Sequence, residues 1–184
     1  MKYSMKIETP RLILREMCDD DFEKLYEIFS DAETMKYYPH TFDEAKVRQW
    51  IEWNQQYYES YNMGLLAVTL KENSEVIGDC GVTMQNINGH SLPEIGYHIN
   101  KNFWYRGYAK EAAIACRDWA FENKNFDFVC SYMKYSNVAS IATAKSIGMT
   151  FYQEYPDEKN GITVVYSITR ERWNQICKSK CSEV

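Results

Sequence analysis

Two cations, Arg106 and Lys110, lie four residues apart where the sequence predicts the first turn of a helix. The helix dipole is positive at that end and four backbone N–H groups lack partners there, so cations are locally unfavourable. Gly107, between the two cations, has no side chain that would keep a ligand away from the backbone. Cations, free N–H groups and a glycine together predict a cradle for a phosphate or pyrophosphate group. The alternative is an ordinary helix start with a capping glycine.

Two well-known phosphate-binding motifs are absent from the sequence. It contains neither Gly-x-x-x-x-Gly-Lys-Ser/Thr, which binds nucleoside triphosphates, nor the dinucleotide-binding fingerprint Gly-x-Gly-x-x-Gly. What it contains is Trp104-x-x-Gly107-x-Ala109, which opens the predicted helix after a strand and a polar turn. This pattern resembles the acyl-CoA pyrophosphate loop of the GNAT acyltransferase superfamily. It is most similar to the loop of the RimJ/RimL-like branch, the ribosomal-protein N-terminal acetyltransferases.

Two further segments carry the same resemblance. The stretch Thr9-Pro10-Arg11-Leu12-Ile13-Leu14-Arg15 is similar to the opening strand of that branch, and Asn137-Val138-Ala139-Ser140 through Gly148-Met149 is similar to its second cofactor helix. The resemblance covers the chain from about Thr9 to Trp173 and implies one GNAT-like domain over residues 1–184. It also implies a mixed α/β fold whose central, mostly antiparallel sheet is splayed between its fourth and fifth strands and flanked by helices. The implied co-substrate is acetyl-CoA.

The composition fits one globular domain. The chain has 184 residues, of which 45% are hydrophobic, and this is enough to close a single core. No apolar run reaches the length of a membrane span. The first six residues carry positive charge but no apolar segment follows them, unlike a secretory signal. We therefore expect a cytoplasmic protein without a membrane partner.

Charge and metal-ligand residues argue against two further classes of function. The formal net charge is −5 and no basic stripe is present, which argues against a nucleic-acid partner and mildly favours a cationic acceptor. The six cysteines are scattered rather than spaced as in a disulfide scaffold or a zinc ribbon, and the chain has only three histidines. Reduced thiols and no metal centre are expected.

Hydrophobic periodicity predicts a mixed α/β order of elements. A strand at Arg11–Arg15 precedes two helices, the second opened by a capping box of Thr41 and Glu44. The later elements are predicted to be strands 65–70, 76–84 and 93–99, a helix from 106, a strand at 128–133, a helix at 137–147 and two strands around a turn at 155–161. By resemblance, the pantetheine arm of the cofactor would lie between strands 93–99 and 128–133.

Amide formation from a thioester requires a neutral amine, a polarised carbonyl and a proton for the leaving thiolate. Glu94, in an otherwise apolar strand, is the candidate general base, directly or through a water, and would also face the acceptor. An exposed edge-strand glutamate is the alternative. By resemblance, the backbone N–H groups of His98 and Ile99 would hydrogen-bond the carbonyl oxygen as it becomes negative.

The general acid has several candidates. Many members of the superfamily place a tyrosine seven residues after the asparagine of the second cofactor helix, where this chain has Ala144. In the RimJ/RimL-like branch a serine three residues after the asparagine is thought to serve, and Ser140 occupies that place. Ser140 could instead satisfy a free N–H group at the helix start. A water and Tyr97 are the other candidates.

The resemblance assigns acetyl-CoA contacts to the cofactor strand, the loop after it and the second cofactor helix. Asn137 could cap its helix or hydrogen-bond the pantetheine amide, and Lys145 could meet the CoA phosphates or be solvated. The residues expected to bind the cofactor are Tyr97, His98, Ile99, Trp104, Tyr105, Arg106, Gly107, Tyr108, Ala109, Lys110, Asn137 and Lys145.

The acceptor pocket is expected where the two N-terminal helices meet the sheet, in a region rich in aromatic residues that suit a cation or an apolar group. Tyr37 and Tyr38 break the helical period and are the candidate lid or wall. The tyrosines at positions 57, 58 and 61 continue the apolar stripe of the second helix and are expected in the core.

The leading hypothesis is an acetyl-CoA-dependent N-acetyltransferase that acts by direct attack in a ternary complex. Its acceptor would be a primary amine, such as a peptide or protein N-terminus, a polyamine, an amino acid or an amino sugar. One alternative is a catalytically silent CoA-binding sensor or assembly module. Another is a mixed α/β domain that binds a protein through its tyrosine-rich helices. The sequence is compatible with a monomer and with a homodimer.

Overall fold

The structure is a computed structural model that describes residues 5–181, with side chains described up to Ser179. The α-helices are α1 (Phe22–Phe29), α2 (Glu44–Tyr61), α3 (Tyr108–Asn123), α4 (Val138–Ser146) and α5 (Arg170–Cys181). The strands are β1 (Lys6–Glu8), β2 (Leu12–Arg15), β3 (Leu65–Leu70), β4 (Val76–Ile87), β5 (His90–Ile99), β6 (Phe128–Lys134), β7 (Thr150–Asp157) and β8 (Gly161–Thr169). Two short 3-10 helices lie at Asp19–Asp21 and Lys101–Phe103.

The eight strands form one sheet in the order β1-β2-β3-β4-β5-β6-β8-β7. The pairs β1–β2, β2–β3, β3–β4, β6–β8 and β7–β8 are antiparallel. The pair β5–β6 is parallel, with Glu94 opposite Cys130. These two strands are the predicted fourth and fifth strands. The predicted mixed α/β fold with a mostly antiparallel sheet is confirmed.

The chain divides into two compact units, of which the first comprises residues 1–83 and 96–116 and is described from residue 5. Its core forms because α1 and α2 each present an apolar stripe at helical spacing, which packs with apolar residues of β3 and β4. The buried residues of this core are Met17, Phe22, Leu25, Ile28, Phe29, Met35, Val47, Ile51, Leu65, Ala67 and Val76.

The second unit comprises residues 84–95 and 117–184 and is described up to residue 181. Its sheet core contains Ile87, Cys130 and Val165, packed with half-buried aromatic side chains of β6 and β7. Trp173 of α5 stacks on Phe121 of α3 with 5.2 Å between ring centroids. This contact anchors the C-terminal helix within the unit.

Two predicted boundaries are wrong for local reasons. The hairpin between β4 and β5 is tighter than predicted, because Asn88 (φ 50°) and Gly89 (φ 80°) form a two-residue turn in the left-handed region. Both strands therefore extend further towards the turn. The cap of α2 is Asp43, whose side chain accepts a hydrogen bond from the Lys46 N–H at 2.8 Å, and not Thr41.

Two elements were not predicted. The strand β1 has three residues with charged ends and too little alternation to signal a strand. The helix α5 is polar overall, and as far as Ser179, where the described side chains end, its apolar face consists of Trp173, Ile176 and Cys177. Those three positions do have helical spacing, so the signal was present but weak.

The expected burial of three tyrosines in α2 is confirmed only for Tyr58, because Tyr61 is 56% exposed and Tyr57 is half-buried. The buried stripe of α2 is Val47, Ile51, Asn54 and Tyr58. A second stripe of stacked rings lies beside it on the helix surface, formed by Trp50, Trp53, Tyr57 and Tyr61 at successive centroid distances of 5.7, 4.9 and 4.5 Å. The prediction failed for Tyr57 and Tyr61 because it treated these two adjacent stripes of α2 as a single buried stripe.

Candidate functional site

The loop between β5 and α3 presents its backbone to solvent. Tyr105 (φ 60°) and Gly107 (φ 79°) both adopt the left-handed conformation, which curves the chain and turns N–H groups inward. The helix α3 begins at Tyr108, so the N–H groups of its first turn lack intrahelical partners. A Cβ atom added to Gly107 would meet only Arg11 Nη2, at 3.5 Å. This segment, residues 104–110, is called the cradle below.

Both predicted cations lie at the mouth of the cradle, but one of them lies outside the helix. Lys110 is in the first turn of α3, whereas Arg106 precedes the helix, because the left-handed Gly107 stands between Arg106 and the first helical residue. Both side chains are exposed, and neither forms an ion pair within residues 5–181. The cradle therefore combines open backbone donors with two unneutralised cations, which suits an anion.

A clasp of hydrogen bonds from the start of the chain fixes the cradle to α3. The Glu111 carboxylate accepts from Thr9 Oγ1 at 2.6 Å, from the Arg11 backbone N–H at 2.9 Å and from Arg11 Nε at 2.6 Å. Arg11 Nη1 donates to the carbonyl oxygen of Arg106 at 2.9 Å, and its guanidinium lies 4.4 Å from the Tyr108 ring centroid. Burial alone would raise the pKa of Glu111, but these hydrogen bonds outweigh it and lower the pKa.

If the cradle binds coenzyme A, as the resemblance implies, Arg11→Lys is expected to weaken that binding about three- to tenfold. An ammonium group cannot pair with Glu111 through two nitrogens, bond the Arg106 carbonyl and stack on Tyr108 at once. Isothermal titration calorimetry with coenzyme A measures the effect. Lys24→Gln is the control, because Lys24 forms an exposed ion pair with Glu27 on α1. Unchanged affinity in Arg11→Lys would show that the cradle keeps its shape without the clasp.

The start of the cradle is also fixed to the first unit. Trp104 Nε1 donates to the carbonyl oxygen of Ile99 at 2.6 Å. Lys101 Nζ forms an ion pair with Asp31 at 2.6 Å, and this contact lowers the pKa of Asp31 to about 2. Lys36 Nζ lies 4.9 Å from the ring of Trp104 and 5.4 Å from that of Tyr37. The predicted wall residue Tyr37 therefore lies near the predicted cofactor residue Trp104.

The end of β5 directs alternate backbone groups to its two edges. The Asn100 N–H bonds the Ile77 carbonyl of β4 at 2.8 Å, so the adjacent Ile99 N–H points to the other edge of the strand. The His98 carbonyl faces β4, since a Cβ atom on Gly78 would come within 2.0 Å of it. Of the two backbone groups predicted to bind the thioester carbonyl, the Ile99 N–H points away from β4, whereas the His98 N–H points to the same edge as its carbonyl, towards β4.

The side chain of His98 was not predicted to have a role of its own. Its Nδ1 lies 2.7 Å from Asp79 Oδ1, and Asp79 is fully buried. Asp79 Oδ2 accepts a hydrogen bond from Trp50 Nε1 at 3.0 Å. The Tyr38 ring lies 4.8 Å from the His98 ring, which brings the second predicted wall residue to this pair. An aspartate inside the apolar strand Val76–Val82 was the signal that could have revealed it.

The second unit holds the predicted catalytic carboxylate. Glu94 is only 8% exposed, so the alternative of an exposed edge-strand glutamate is wrong. Burial, and next the charge of Glu94, raise the pKa values of Cys130 and Tyr132. The charge of the buried Glu94 carboxylate thus contributes to the raised pKa values of these two neighbouring side chains.

The start of α4 is capped by Asn137, whose Oδ1 accepts a hydrogen bond from the Ser140 N–H at 3.1 Å. Ser140 is half-buried and is not itself the cap. Ala144, at the position where other superfamily members have a tyrosine, is fully buried. Lys145 is exposed, with Nζ 5.6 Å from the ring of Tyr166.

Comparison with known proteins identifies the family. The acetyltransferase (GNAT) domain model matches residues 11–150. The chain belongs to the GNAT acetyltransferase family. It is 34% identical to YkkB of Bacillus subtilis over 95% of this chain and 94% of that one. It is 30% identical to the B. subtilis N-acetyltransferase YnaD over 92% of this chain and all of that protein. The GNAT chain is therefore an acetyltransferase.

A solved structure shares the fold. RimL, a ribosomal L7/L12 α-N-protein acetyltransferase in complex with coenzyme A, superposes with a TM-score of 0.76 over 90% of this GNAT chain and 98% of RimL, at 14% identity. At that identity the likeness extends to the fold.

Other features of the GNAT chain bear on the predictions made from composition. Among the described residues, cysteines 18, 80, 116, 130 and 177 form no disulfide bond, and the side chain of Cys181 lies outside the described residues. Within the described chain no cluster of His, Cys, Asp or Glu could hold a metal ion. In the same part of the chain, no helix is both long enough and apolar enough to cross a membrane.

Proposed function

We propose that this acetyltransferase transfers the acetyl group of acetyl-CoA to a primary amine, such as a peptide or protein N-terminus, a polyamine, an amino acid or an amino sugar. The observation that carries the proposal is the cradle. Gly107 leaves room for a pyrophosphate beside unpartnered N–H groups, and Arg106 and Lys110 supply the opposite charge. The residues present therefore fit the group that the family uses.

In this proposal the residues of the first unit hold most of the cofactor. The N–H groups of Gly107, Tyr108 and Ala109 bind phosphate oxygens, and Arg106 and Lys110 neutralise their charge. The edge of β5 that faces away from β4, at Tyr97 and Ile99, supplies backbone groups for the amide-rich pantetheine arm. Trp104 and Tyr105 complete the binding residues of this unit.

The second unit is proposed to contribute to cofactor binding through α4. Asn137 uses Oδ1 for its cap, so its amide nitrogen is the group proposed for the pantetheine amide. Lys145 is proposed for a phosphate contact, and its exposure leaves the charge available to an anion.

The proposed chemistry is direct attack of the amine on the thioester, without a covalent acyl-enzyme. Glu94, which is buried, accepts a proton from the amine, directly or through a water. The Ile99 N–H, on the edge of β5 that faces away from β4, stabilises negative charge on the carbonyl oxygen. Ser140 donates the proton that the leaving thiolate requires, and positioning of the two substrates supplies much of the rate.

Thermal unfolding with and without coenzyme A tests whether the cofactor binds. A ligand that binds only the folded state at 100 times its Kd stabilises by about 2.7 kcal/mol, so a clear rise in Tm is expected. Thiol release from acetyl-CoA, followed with and without added amines, then tests transfer. No rise in Tm at millimolar coenzyme A would contradict the proposal.

A second candidate function is a CoA-binding sensor or assembly module without catalysis. The buried Ala144 favours it, because the side chain at this position carries no hydroxyl to protonate the thiolate. This candidate predicts a rise in Tm with coenzyme A together with amine-independent thiol release at background. The protein-binding alternative predicts neither effect.

A further inference from the structure

A buried chain of hydrogen bonds ends at His98. Trp50 Nε1 donates to Asp79 Oδ2 at 3.0 Å, and Asp79 Oδ1 lies 2.7 Å from His98 Nδ1. Asp79 has no exposed surface, and the side chain of His98 is 9% exposed. A buried carboxylate accepts hydrogen bonds, so in the imidazole tautomer that pairs with Asp79 the proton lies on Nδ1 and the lone pair on Nε2. Asp79 therefore fixes the tautomer of His98.

The second ring nitrogen of His98 is open to a ligand. In the described chain, the hydrogen bond of the His98 ring is the one between Nδ1 and Asp79, and Nε2 has no partner there. No side-chain nitrogen or oxygen in that part of the chain is both buried and unpartnered. Nε2 must therefore reach solvent, although the rest of the ring is almost covered. A buried imidazole with one accessible lone pair is a hydrogen-bond acceptor aimed outward.

Aromatic rings surround this acceptor. Phe29 and Trp50 meet the His98 ring edge to face at 5.2 and 6.1 Å, and Tyr38 lies 4.8 Å away. Tyr38 is 43% exposed, so it forms the outer wall. The Asp79 carboxylate behind the His98 ring and the aromatic faces beside it both attract cations. The surroundings of Nε2 thus favour an ammonium group over a carboxylate or phosphate.

We propose that His98 binds the acceptor as an ammonium ion and removes its first proton, with Asp79 as the positioning residue behind it. This proposal rests on the proposed function. The N–H bond of the ammonium breaks, its electron pair stays on the amine nitrogen, and the proton bonds to Nε2 and passes on to water. The amine loses its second proton to Glu94 as the C–N bond forms. The thiolate takes up one proton, so the reaction releases one proton in total.

The step matters most for an amine such as that of a lysine side chain, which with a pKa near 10 is almost fully protonated at neutral pH, because an ammonium nitrogen has no lone pair for attack. His98 stands between Tyr97 and Ile99, which are proposed to contact the thioester arm, and directly before the cradle loop. The titratable groups that face its ring are Asp79 from β4 and Tyr38 from the loop after α1, whereas α1 and α2 face it with Phe29 and Trp50.

The test compares His98→Gln with His90→Gln, an exposed histidine in the β4–β5 hairpin. Initial rates are measured between pH 6 and pH 9.5 with spermidine, glucosamine, lysine and a serine-initiated peptide as probe amines. With a probe that the native protein acetylates, His98→Gln is expected to lower kcat/KM for the amine about 100-fold at pH 7. For a probe amine with a pKa near 10 the loss should shrink about tenfold per pH unit above pH 7, and for the peptide N-terminus it should shrink only up to about pH 8, because solvent then supplies neutral amine. His90→Gln should match the native protein throughout.

Coenzyme A binding separates this proposal from the proposed function. His98→Gln should keep the native rise in Tm with coenzyme A. If no probe amine is acetylated by the native protein, the proposed function fails. If amines are acetylated but His98→Gln matches the native protein, or loses the same factor at every pH, then His98 is structural and the inference is overturned.

A second measurement covers a variant that does not fold. The native protein is labelled with ¹⁵N in its imidazole rings and titrated with a probe amine that it acetylates. This amine should shift the Nε2 signal of one of the three histidines and leave the other two signals in place. The His98 signal is assigned as the one that is absent from the spectrum of His98→Gln. It can also be assigned as the one that shifts in Trp50→Phe, which lacks the hydrogen bond from Trp50 Nε1 to Asp79. An unshifted His98 signal at a saturating amine concentration overturns the inference.

Discussion

Replacing Glu94 with glutamine is expected to lower kcat by about 10²- to 10⁴-fold, the range of general-base catalysis, while coenzyme A affinity stays within twofold of the native value. Glutamine keeps the shape of the buried side chain but cannot accept the amine proton. Glu94 is 8% exposed, so bulk water cannot readily replace it. Steady-state rates with a fixed amine and calorimetric titration with coenzyme A measure the two effects separately.

Glu154→Gln is the matched control, because Glu154 is an exposed strand carboxylate on β7 in the same unit. It should keep native rates. A Glu94→Gln protein with native kcat would contradict the assignment of the base. Glu94→Gln with both activity and coenzyme A binding lost would assign Glu94 a structural role.

Replacing Gly107 with valine is expected to weaken coenzyme A binding tenfold or more. The native φ of 79° is unfavourable for a branched side chain, and the new methyl groups would occupy the space in front of the first-turn N–H groups. The strain alone costs about 1–2 kcal/mol of stability, so calorimetry must be paired with thermal unfolding.

Gly89→Val separates strain from ligand contact. Gly89 lies in the β4–β5 hairpin and has a φ of 80°, close to that of Gly107. A Cβ atom added to Gly89 would have no other atom within 4 Å. Both variants should lose similar stability, and only Gly107→Val should lose coenzyme A affinity. Equal affinities in the two proteins would mean that the cradle does not bind the cofactor.

The elements that the sequence predicted well are those with a local signal. The strands β2, β3 and β6 alternate or run apolar between turn residues, and the structure places each within about one residue of its predicted range. The helix α5 was missed because its apolar face has three members among its described side chains, which is a weak signal. The exposed tyrosine Tyr61 was misplaced because two helical stripes on α2 lie side by side.

In the candidate site, too, the features with a local sequence signal could be predicted and those without one could not. The cradle could be predicted because a glycine and two cations fall within five consecutive residues. The clasp between Arg11 and Glu111 joins residues 100 apart in the chain, and the pair of His98 and Asp79 joins residues 19 apart. A single sequence carries no periodicity that reports such side-chain pairs, because they depend on how strands and helices pack. Both pairs therefore had to come from the structure.

Acetyl transfer itself is the most direct test of the central claim. The native protein and Glu94→Gln are incubated with acetyl-CoA and the four probe amines, and the products are analysed by mass spectrometry. The account predicts that the native protein adds one acetyl group to at least one amine, and that Glu94→Gln forms little of that product. Native protein that binds coenzyme A but acetylates none of the four amines, with thiol release at background, would contradict it and favour the silent CoA-binding module.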